Sequence, residues 1–238
     1  MAERGVNARG LEASAPLGLA AGTIELREVT DRALASVAFG GDDQGARRRL
    51  ERAFGVPLPD VGRSAVTERG EHLLRLQLDR LFVLFGSGAT SEPERTLRER
   101  FAAAATSSDA PDDPGDRRAR NEAATPADPN ATATGAASDT VSDEGAGADD
   151  SLLYSSDQSD AWVMLSIDGP RSRRALERVC PLDLHPDVFP LGAVARSLVE
   201  HLNAIVLREG ENAFLLLSPR SSARDFLHEI ETSIRHLR

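Results

Sequence analysis

The heptapeptide RRRLERA at residues 47–53 has a counterpart later in the chain, RRALERV at residues 173–179. Each copy sets one leucine, Leu50 or Leu176, among arginines, which is the composition of an amphipathic helix with one apolar face. A proline-containing loop follows each copy. A motif that recurs together with its surroundings indicates an internal duplication.

The loops and the order of elements extend the match. Residues 59–61 (PDV) match residues 186–188, and Arg63-Ser64 matches Arg196-Ser197 after a few extra residues. Each copy lies in the same predicted order: two strands, a helix, a proline-rich loop, more strands and a closing helix. Arginine-rich helices also resemble one another by chance, but the shared order favours duplication. We therefore predict an α+β fold of two pseudo-repeated halves packed as one domain.

Hydrophobic periodicity and turn residues predict the individual elements. In chain order these are two strands within 23–39, a helix around Leu50, a hairpin of 73–78 and 81–85, a helix from Ser91, a strand at 161–167, a helix ended by Pro181, strands at 194–199, 204–207 and 213–217, and a closing helix with apolar residues at 226, 230, 234 and 237.

Composition divides the chain into four segments. A Gly/Ala/Arg-rich tail, 1–20, precedes the first half, 21–104, and an acidic insert, 105–150, precedes the second half, 151–238. The insert holds 11 acidic residues, 3 Arg and Val141 as its one larger aliphatic. It has too little apolar surface to offset the entropy cost of ordering. We expect the insert to be disordered and the tail to be frayed.

The overall composition excludes several classes of protein. A net charge of -10 argues against nucleic acid or an anionic membrane as the general partner. The absence of Lys points to the genome or the salt of the environment and not to a site. A single cysteine, Cys180, excludes an internal disulfide and favours a reducing compartment. No apolar run approaches the ~18 residues of a membrane helix. We expect a cytoplasmic protein without a membrane segment.

Residues that could carry chemistry are few. The five histidines lie at no metal-ligand spacing, Cys180 has no activating base nearby, and the glycines at 86–88 lack the lysine of a phosphate-binding loop. The carboxylates of Asp157 and Asp160 are candidates for acid–base work, with Arg196 as a clamp for an anionic tail. Because no partner in a pocket is evident, turn and capping roles are favoured for the two carboxylates. We assign no catalytic, cofactor-binding or metal-binding residue.

One stretch is distinctive. It reads SDQSDAW at 156–162, IDGP at 167–170 and CPLDLHP at 180–186, and then Phe189-Pro190 and Gly192 follow. It resembles the signature of the gamma subunit family of heterotetrameric sarcosine oxidases. The CPLDLHP run followed by Phe-Pro is the specific part.

The resemblance covers residues 155–237 well and residues 22–104 more loosely, and the acidic insert departs from the family's short connection. It implies a fold similar to the folate-binding domain of the glycine-cleavage aminomethyltransferase (T-protein), which also consists of two related α+β halves. It implies a cofactor-free subunit beside alpha, beta and delta subunits, with FAD, FMN, NAD and tetrahydrofolate on the partners. Such a complex converts sarcosine to glycine, hydrogen peroxide and a one-carbon unit.

The same resemblance marks a set of residues as partner-interface or structural positions. They are Asp157, Ser159, Gly169, Pro170, Cys180, Pro181, Asp183, His185, Pro186 and Phe189. Asp183 and His185 alternate with leucines, so we expect the polar pair to point away from a buried pair. Three prolines pre-order this loop, which suits it either to docking a partner or to bracing the two halves.

Two other functions remain open at this stage. A stand-alone folate-binding protein of the aminomethyltransferase type would need a carboxylate of Asp157 or Asp160 in one pocket with Arg196. The equivalent subunit of a complex that demethylates another N-methyl amino acid would leave the substrate contacts on other chains.

Overall fold

The computed structural model describes residues 17–19, 22–40, 44–106 and 153–237. This part of the chain contains eleven strands and four α-helices, which follow one another in a similar order in the two halves. The strands are β1 Leu17–Leu19, β2 Gly22–Glu28, β3 Leu34–Ala38, β4 Arg63–Val66, β5 His72–Gln77, β6 Arg80–Leu84, β7 Tyr154–Asp157, β8 Trp162–Asp168, β9 Val194–Val199, β10 Leu202–Arg208 and β11 Ala213–Pro219. The helices are α1 Gln44–Phe54, α2 Pro93–Thr106, α3 Ser172–Leu176 and α4 Ala223–Arg235, and a 3-10 turn, Arg220–Ser222, leads into α4.

The strands form two antiparallel sheets that exchange one strand each. The first sheet has the order β4-β5-β6-β3-β7, and the second has the order β1-β2-β8-β11-β10-β9. Strand β7 comes from the second half of the sequence but pairs with β3, while β2 from the first half pairs with β8. If β1 is set aside, the two sheets have the same order of equivalent strands. The predicted α+β class and the pseudo-repeat are confirmed.

The sheets face each other and carry the helices on their outer faces. Alternate residues of one strand serve different layers, as the two-residue period of a strand requires. On β6, Phe82 and Leu84 pack between the sheets, whereas Leu81 and Val83 pack under α1 and α2. On β11 the same division separates residues that face the other sheet from residues that face α3 and α4. The result is a four-layer helix–sheet–sheet–helix arrangement.

The two halves meet where the edge strands β4 and β9 cross. Val194 N–H donates to Gly62 O at 3.0 Å, and Ser64 N–H donates to Gly192 O at 2.7 Å. These two bonds are related by an approximate twofold axis. Both glycines adopt positive φ, +84° for Gly62 and +76° for Gly192. Only glycine adopts this backbone conformation at low cost. The crossing leaves little room for a side chain at Gly192, whereas a Cβ on Gly62 would lie 3.8 Å from Val194 O, an ordinary contact.

A pair of buried arginines occupies equivalent places beside this crossing. Arg75 donates to the main-chain oxygens of Pro59 and Leu78, both at 3.1 Å. Arg208 donates to the main-chain oxygen of Phe189 at 2.8 Å and to a second carbonyl at 2.7 Å. Each guanidinium therefore ties the loop before its edge strand to the neighbouring hairpin. Such charge-assisted hydrogen bonds are among the stronger ones in proteins.

The structural repeat differs in register from the match read in the sequence. Gly62 corresponds to Gly192, so Arg63 corresponds to Ala193, with which it forms a bridge, and not to Arg196. On the same correspondence residues 59–61 match residues 189–191, three positions after the residues 186–188 that the sequence suggested. Proline and aspartate recur in both loops because they favour turns, whereas the crossing glycines fix the true correspondence.

Several elements differ from the sequence-based expectations. Strands β1, β4 and β7 were not predicted, and β1 lies inside the segment expected to be a frayed tail. The helix predicted to run to Pro181 ends at Leu176 and continues as turns. Apart from β1 and the last two residues of α2, the tail 1–20 and the acidic insert 105–150 lie outside the described residues.

The glycine crossing predicts unequal costs for the same substitution. A Cβ on Gly192 would lie 3.3 Å from Ser64 Oγ, whereas a Cβ on Gly55, which also has positive φ, meets no atom within 4 Å. Gly55→Ala should cost roughly 1–2 kcal/mol of unfolding free energy, the left-handed penalty alone. Gly192→Ala should cost more, because it adds crowding at the crossing. Urea titrations of both variants test this, and equal losses would contradict the assigned role of Gly192.

Candidate functional site

The loop at residues 180–192, which we call the signature loop, connects the turns after α3 to β9. Its anchoring residues are buried: Cys180, Leu184 and Phe189 pack in the core beneath the second sheet. Asp183 and His185, which flank Leu184, are exposed. The side chains thus alternate as the sequence suggested. The loop is fixed to the core on one side and open on the other.

Local hydrogen bonds hold the signature loop in shape. Asp183 Oδ1 accepts the His185 N–H at 2.9 Å, and His185 O accepts the N–H groups of Val188 and Phe189 at 3.0 and 2.8 Å. The Cys180 thiol lies 3.5 Å from Ser197 Oγ on β9. Pro181 and Pro186 are exposed and leave the backbone little freedom. The loop is therefore ordered before any partner arrives.

The open side of this loop carries apolar as well as polar side chains. Val188 is 62% exposed and Leu191 is 66% exposed. Val61, which the twofold relates to Leu191, is exposed by 47%. Exposed aliphatic side chains on an ordered loop make it a candidate protein interaction site.

The other signature residues have structural contacts. Asp157 Oδ1 accepts the Ser159 N–H at 2.9 Å, and Ser159 Oγ accepts the Leu34 N–H at 3.1 Å, which extends the pairing of β7 with β3. Gly169 has φ +131° and donates its N–H to Asn212 O at 3.2 Å. Pro170 is exposed in the turn that follows. These residues shape the strand ends and turns of the second half.

An open cleft lies beside the exchanged strand β7. Its volume is about 520 Å³. Two arginines, three aromatic rings, several hydroxyl and amide groups and one alanine line it. They are Ser36, Ala38, Arg80, Phe82, Tyr154, Ser155, Ser156, Gln158, Trp162 and Arg196. Within the described residues, this cleft joins strands of both sheets, because Arg196 comes from β9 and Phe82 from β6.

One arginine and two aromatic rings of the cleft are in contact with one another. The Arg196 guanidinium carbon lies 5.7 Å from the centre of the Phe82 ring, in the range of a cation–π contact. Phe82 and Trp162 meet edge to face with their centres 5.9 Å apart. Burial, and after it the nearby Arg80 charge, lowers the pKa of Arg196. The sequence pointed to Arg196 but not to Arg80, although the sole Trp and the sole Tyr of the chain were an available signal.

The structure does not bring the suggested acid–base residues to this arginine. Neither Asp157 nor Asp160 lines the cleft that holds Arg196, although Gln158 between them does. Asp157 is engaged by the Ser159 N–H, and Asp160 is exposed in a turn. The carboxylate-and-arginine pocket that a folate-dependent enzyme was expected to need is not assembled from these residues.

A partly buried polar cluster joins the two sheets elsewhere. Arg32 Nη1 lies 3.0 Å from Glu209 Oε1 and its Nε donates to Phe85 O at 3.1 Å. His72 Nδ1 lies 3.9 Å from the same Glu209 oxygen. Burial lowers the pKa of His72, the Arg32 charge lowers it further, and Glu209 partly opposes both. The folded protein therefore favours neutral His72.

Metal and membrane features are absent from the described ranges. Within residues 17–19, 22–40, 44–106 and 153–237, no three His, Cys, Asp or Glu side chains converge as a metal site. No helix in those same ranges combines the length and the apolarity that a membrane crossing requires.

The lowered pKa of His72 predicts a pH-dependent stability. The unfolded chain, with an ordinary histidine pKa near 6.5, takes up a proton before the folded chain does. The unfolding free energy should therefore fall as pH drops from neutrality through 6.5 and on to the lower folded pKa. His72→Gln should make this fall shallower, whereas His201→Gln, at an exposed position, should leave it unchanged. Urea titrations across this pH range measure the unfolding free energy at each pH. If its dependence on pH is the same in His72→Gln as in the wild type, His72 is not the group responsible.

Comparison with known proteins identifies the fold. No protein-family model and no curated protein sequence matches the chain. It is similar to a chain of the heterotetrameric sarcosine oxidase from Corynebacterium sp. U-96 in complex with pyrrole 2-carboxylate, with a TM-score of 0.62, 19% identity, and coverage of 90% of this chain and 84% of that one. It is also similar to the glycine cleavage system aminomethyltransferase T from Bartonella henselae, with a TM-score of 0.52, 14% identity, and coverage of 87% and 45%. The chain spans less than half of the latter protein, and it has the folate-binding-like fold that these structures share.

Proposed function

We propose that this chain is the gamma subunit of a heterotetrameric sarcosine oxidase-like complex and acts there as a cofactor-free assembly subunit. Its partners would be alpha, beta and delta subunits in the cytoplasm. FAD, FMN, NAD and tetrahydrofolate would lie on those partners. The complex would demethylate sarcosine oxidatively to glycine, hydrogen peroxide and a one-carbon unit.

The observation that carries the proposal is the extent of the match to the oxidase chain. The similarity extends over 90% of this chain and 84% of a chain from a heterotetrameric oxidase. In the aminomethyltransferase, by contrast, more than half of the protein has no counterpart here. A chain that matches one subunit of an assembly nearly end to end is best explained as the equivalent subunit. The CPLDLHP run of the signature loop supports the same assignment.

The chemistry of the described residues supports a non-catalytic role. The carboxylates of Asp157 and Asp160 do not share a pocket with Arg196. A stand-alone folate-dependent enzyme would need such groups together, because a base must lie within hydrogen-bond reach of its substrate. The geometry therefore favours the subunit over the independent enzyme. The substrate itself, sarcosine or another N-methyl amino acid, would be selected by residues on other chains.

The signature loop offers a docking surface for this role. It is rigid, so it loses little entropy on binding, and it presents the exposed side chains of Val188 and Leu191. We propose that Asp183, His185 and these aliphatic residues contact a larger partner, while Cys180 and Phe189 hold the loop to the core.

A tagged copy of the full chain, expressed in its source organism, tests the proposal. We expect it to recover flavin-containing subunits, detected by flavin absorbance and by sarcosine-dependent peroxide formation. The double variant Val188→Asp, Leu191→Asp should lose most of this recovery, because it places charges in an apolar contact. Val66→Asp changes an aliphatic residue that is 56% exposed outside the loop, and it serves as the matched control.

Three outcomes would contradict the proposal. One is a solitary wild-type chain in gently prepared extract. Another is turnover of an N-methyl amino acid by the purified chain alone. A third is equal flavin recovery by the double variant and the control, which would exclude the signature loop as the docking surface.

A further inference from the structure

The single Trp and the single Tyr of this chain, Trp162 and Tyr154, line the same open cleft. Aromatic residues make up only 4% of the sequence. Trp162 is partly buried and stands edge to face with Phe82, whereas Tyr154 is 63% exposed. Large aromatic side chains left partly exposed together are characteristic of binding hot spots, where Trp, Tyr and Arg are enriched. This cleft combines all three residue types.

Within the described residues, the cleft carries positive charge and has no acidic side chain in its lining. Arg80 and Arg196 both line it. The Arg80 charge is close enough to disfavour the charged state of Arg196. A carboxylate placed between them would satisfy both guanidinium groups with charge-assisted hydrogen bonds. The electrostatics therefore favour an acidic ligand.

Internal symmetry indicates that the fold does not require these residues. Because Gly62 corresponds to Gly192, the position equivalent to Arg196 is Val66. The hairpins are related through Arg75 and Arg208, each paired in the same way with the adjacent strand.

That hairpin correspondence assigns Ala213 to the position of Arg80 and Leu215 to the position of Phe82. The symmetry-related place in the fold therefore has neither of the two arginines and lacks the phenylalanine ring. The cluster occurs at only one of the two symmetry-related places in the fold, so packing within the repeated fold does not account for it.

The shape of the cleft distinguishes between kinds of acidic ligand. Pockets for small molecules bury most of the ligand's surface. Here Arg80, Arg196 and Tyr154 are all exposed, and the cleft lies along the short exchanged strand β7. An open cleft with charged and aromatic walls matches a segment of a protein better than an enclosed metabolite.

We propose that this cleft binds an acidic segment of a partner protein, with a carboxylate held by Arg80 and Arg196 and a neighbouring apolar side chain against Trp162 and Tyr154. The expectation of a protein partner rests on the proposed function. The site is distinct from the signature loop, which offers aliphatic contacts. A partner that uses both would be held by an apolar contact and by a charged one.

Trp162 makes the test specific, since its fluorescence reports on this cleft alone. Random peptides displayed in a library are selected on the full chain, and the enriched peptides are synthesised and titrated while Trp162 emission is recorded. We expect enrichment of Asp or Glu next to apolar residues and a saturable change in emission. Arg80→Gln and Arg196→Gln should each weaken the peptide Kd about tenfold, the usual size for loss of a charge-assisted bond.

Arg95→Gln is the matched control, because Arg95 is an exposed arginine on α2 that pairs with Glu92 and Glu99. It should leave the peptide Kd unchanged, and circular dichroism should show all three variants folded.

Selected peptides without acidic enrichment, an unresponsive Trp162, or equal losses of peptide affinity in the variants and the control would overturn the inference. Displacement of the peptides by benzoate at equal concentration would also overturn it and indicate a small-molecule site. None of these results depends on recovering flavin subunits, so failure here and failure of the proposed function are separable.

Discussion

Two main-chain hydrogen bonds, from Val194 N–H to Gly62 O and from Ser64 N–H to Gly192 O, join the edge strands of the two sheets. They require two backbones to approach closely, which the positive φ and the missing side chains of the glycines permit. The crossing joins the edges of the two sheets, and an apolar layer packs between their faces. The signature loop leads directly into this crossing, and the cleft is lined from β9 just beyond it. Both candidate surfaces therefore depend on the same contact.

The signature loop and the cleft offer a partner two different kinds of contact. The signature loop offers aliphatic side chains on a backbone stiffened by prolines, which favours affinity through burial. The cleft offers two guanidinium groups and aromatic faces, which favour selection of charge and orientation. Because Lys is absent from the chain, its positive surface consists of arginines, whose planar groups bind carboxylates in two places at once.

Much of the fold could be predicted because its signals are local. The apolar stripes around Leu50, Leu97 and Ile230 gave the long helices, and runs of aliphatic residues gave the central strands. Strand β7 could not be read in this way, since its sequence, YSSD, is short and polar and becomes a strand only by pairing with β3. The register of the repeat could not be predicted for a similar reason. Proline and aspartate recur in many turns and align by chance, whereas the equivalence of Gly62 and Gly192 becomes evident only from their contacts in the folded chain. In the candidate sites, the anchoring of Leu184 followed from alternation, but Arg80 meets Arg196 through tertiary packing that no local pattern encodes.

The exchange of β2 and β7 has a consequence for how such a molecule arises. Each half, taken alone, lacks the strand that completes its sheet and carries instead the strand that completes the other. A polypeptide of one half would leave an open edge, and it would close that edge only by reciprocal donation with an identical copy. The present architecture is thus that of a strand-swapped homodimer joined into one chain. Within this chain the two copies are not identical, since Arg196 on β9 has Val66 as its counterpart on β4.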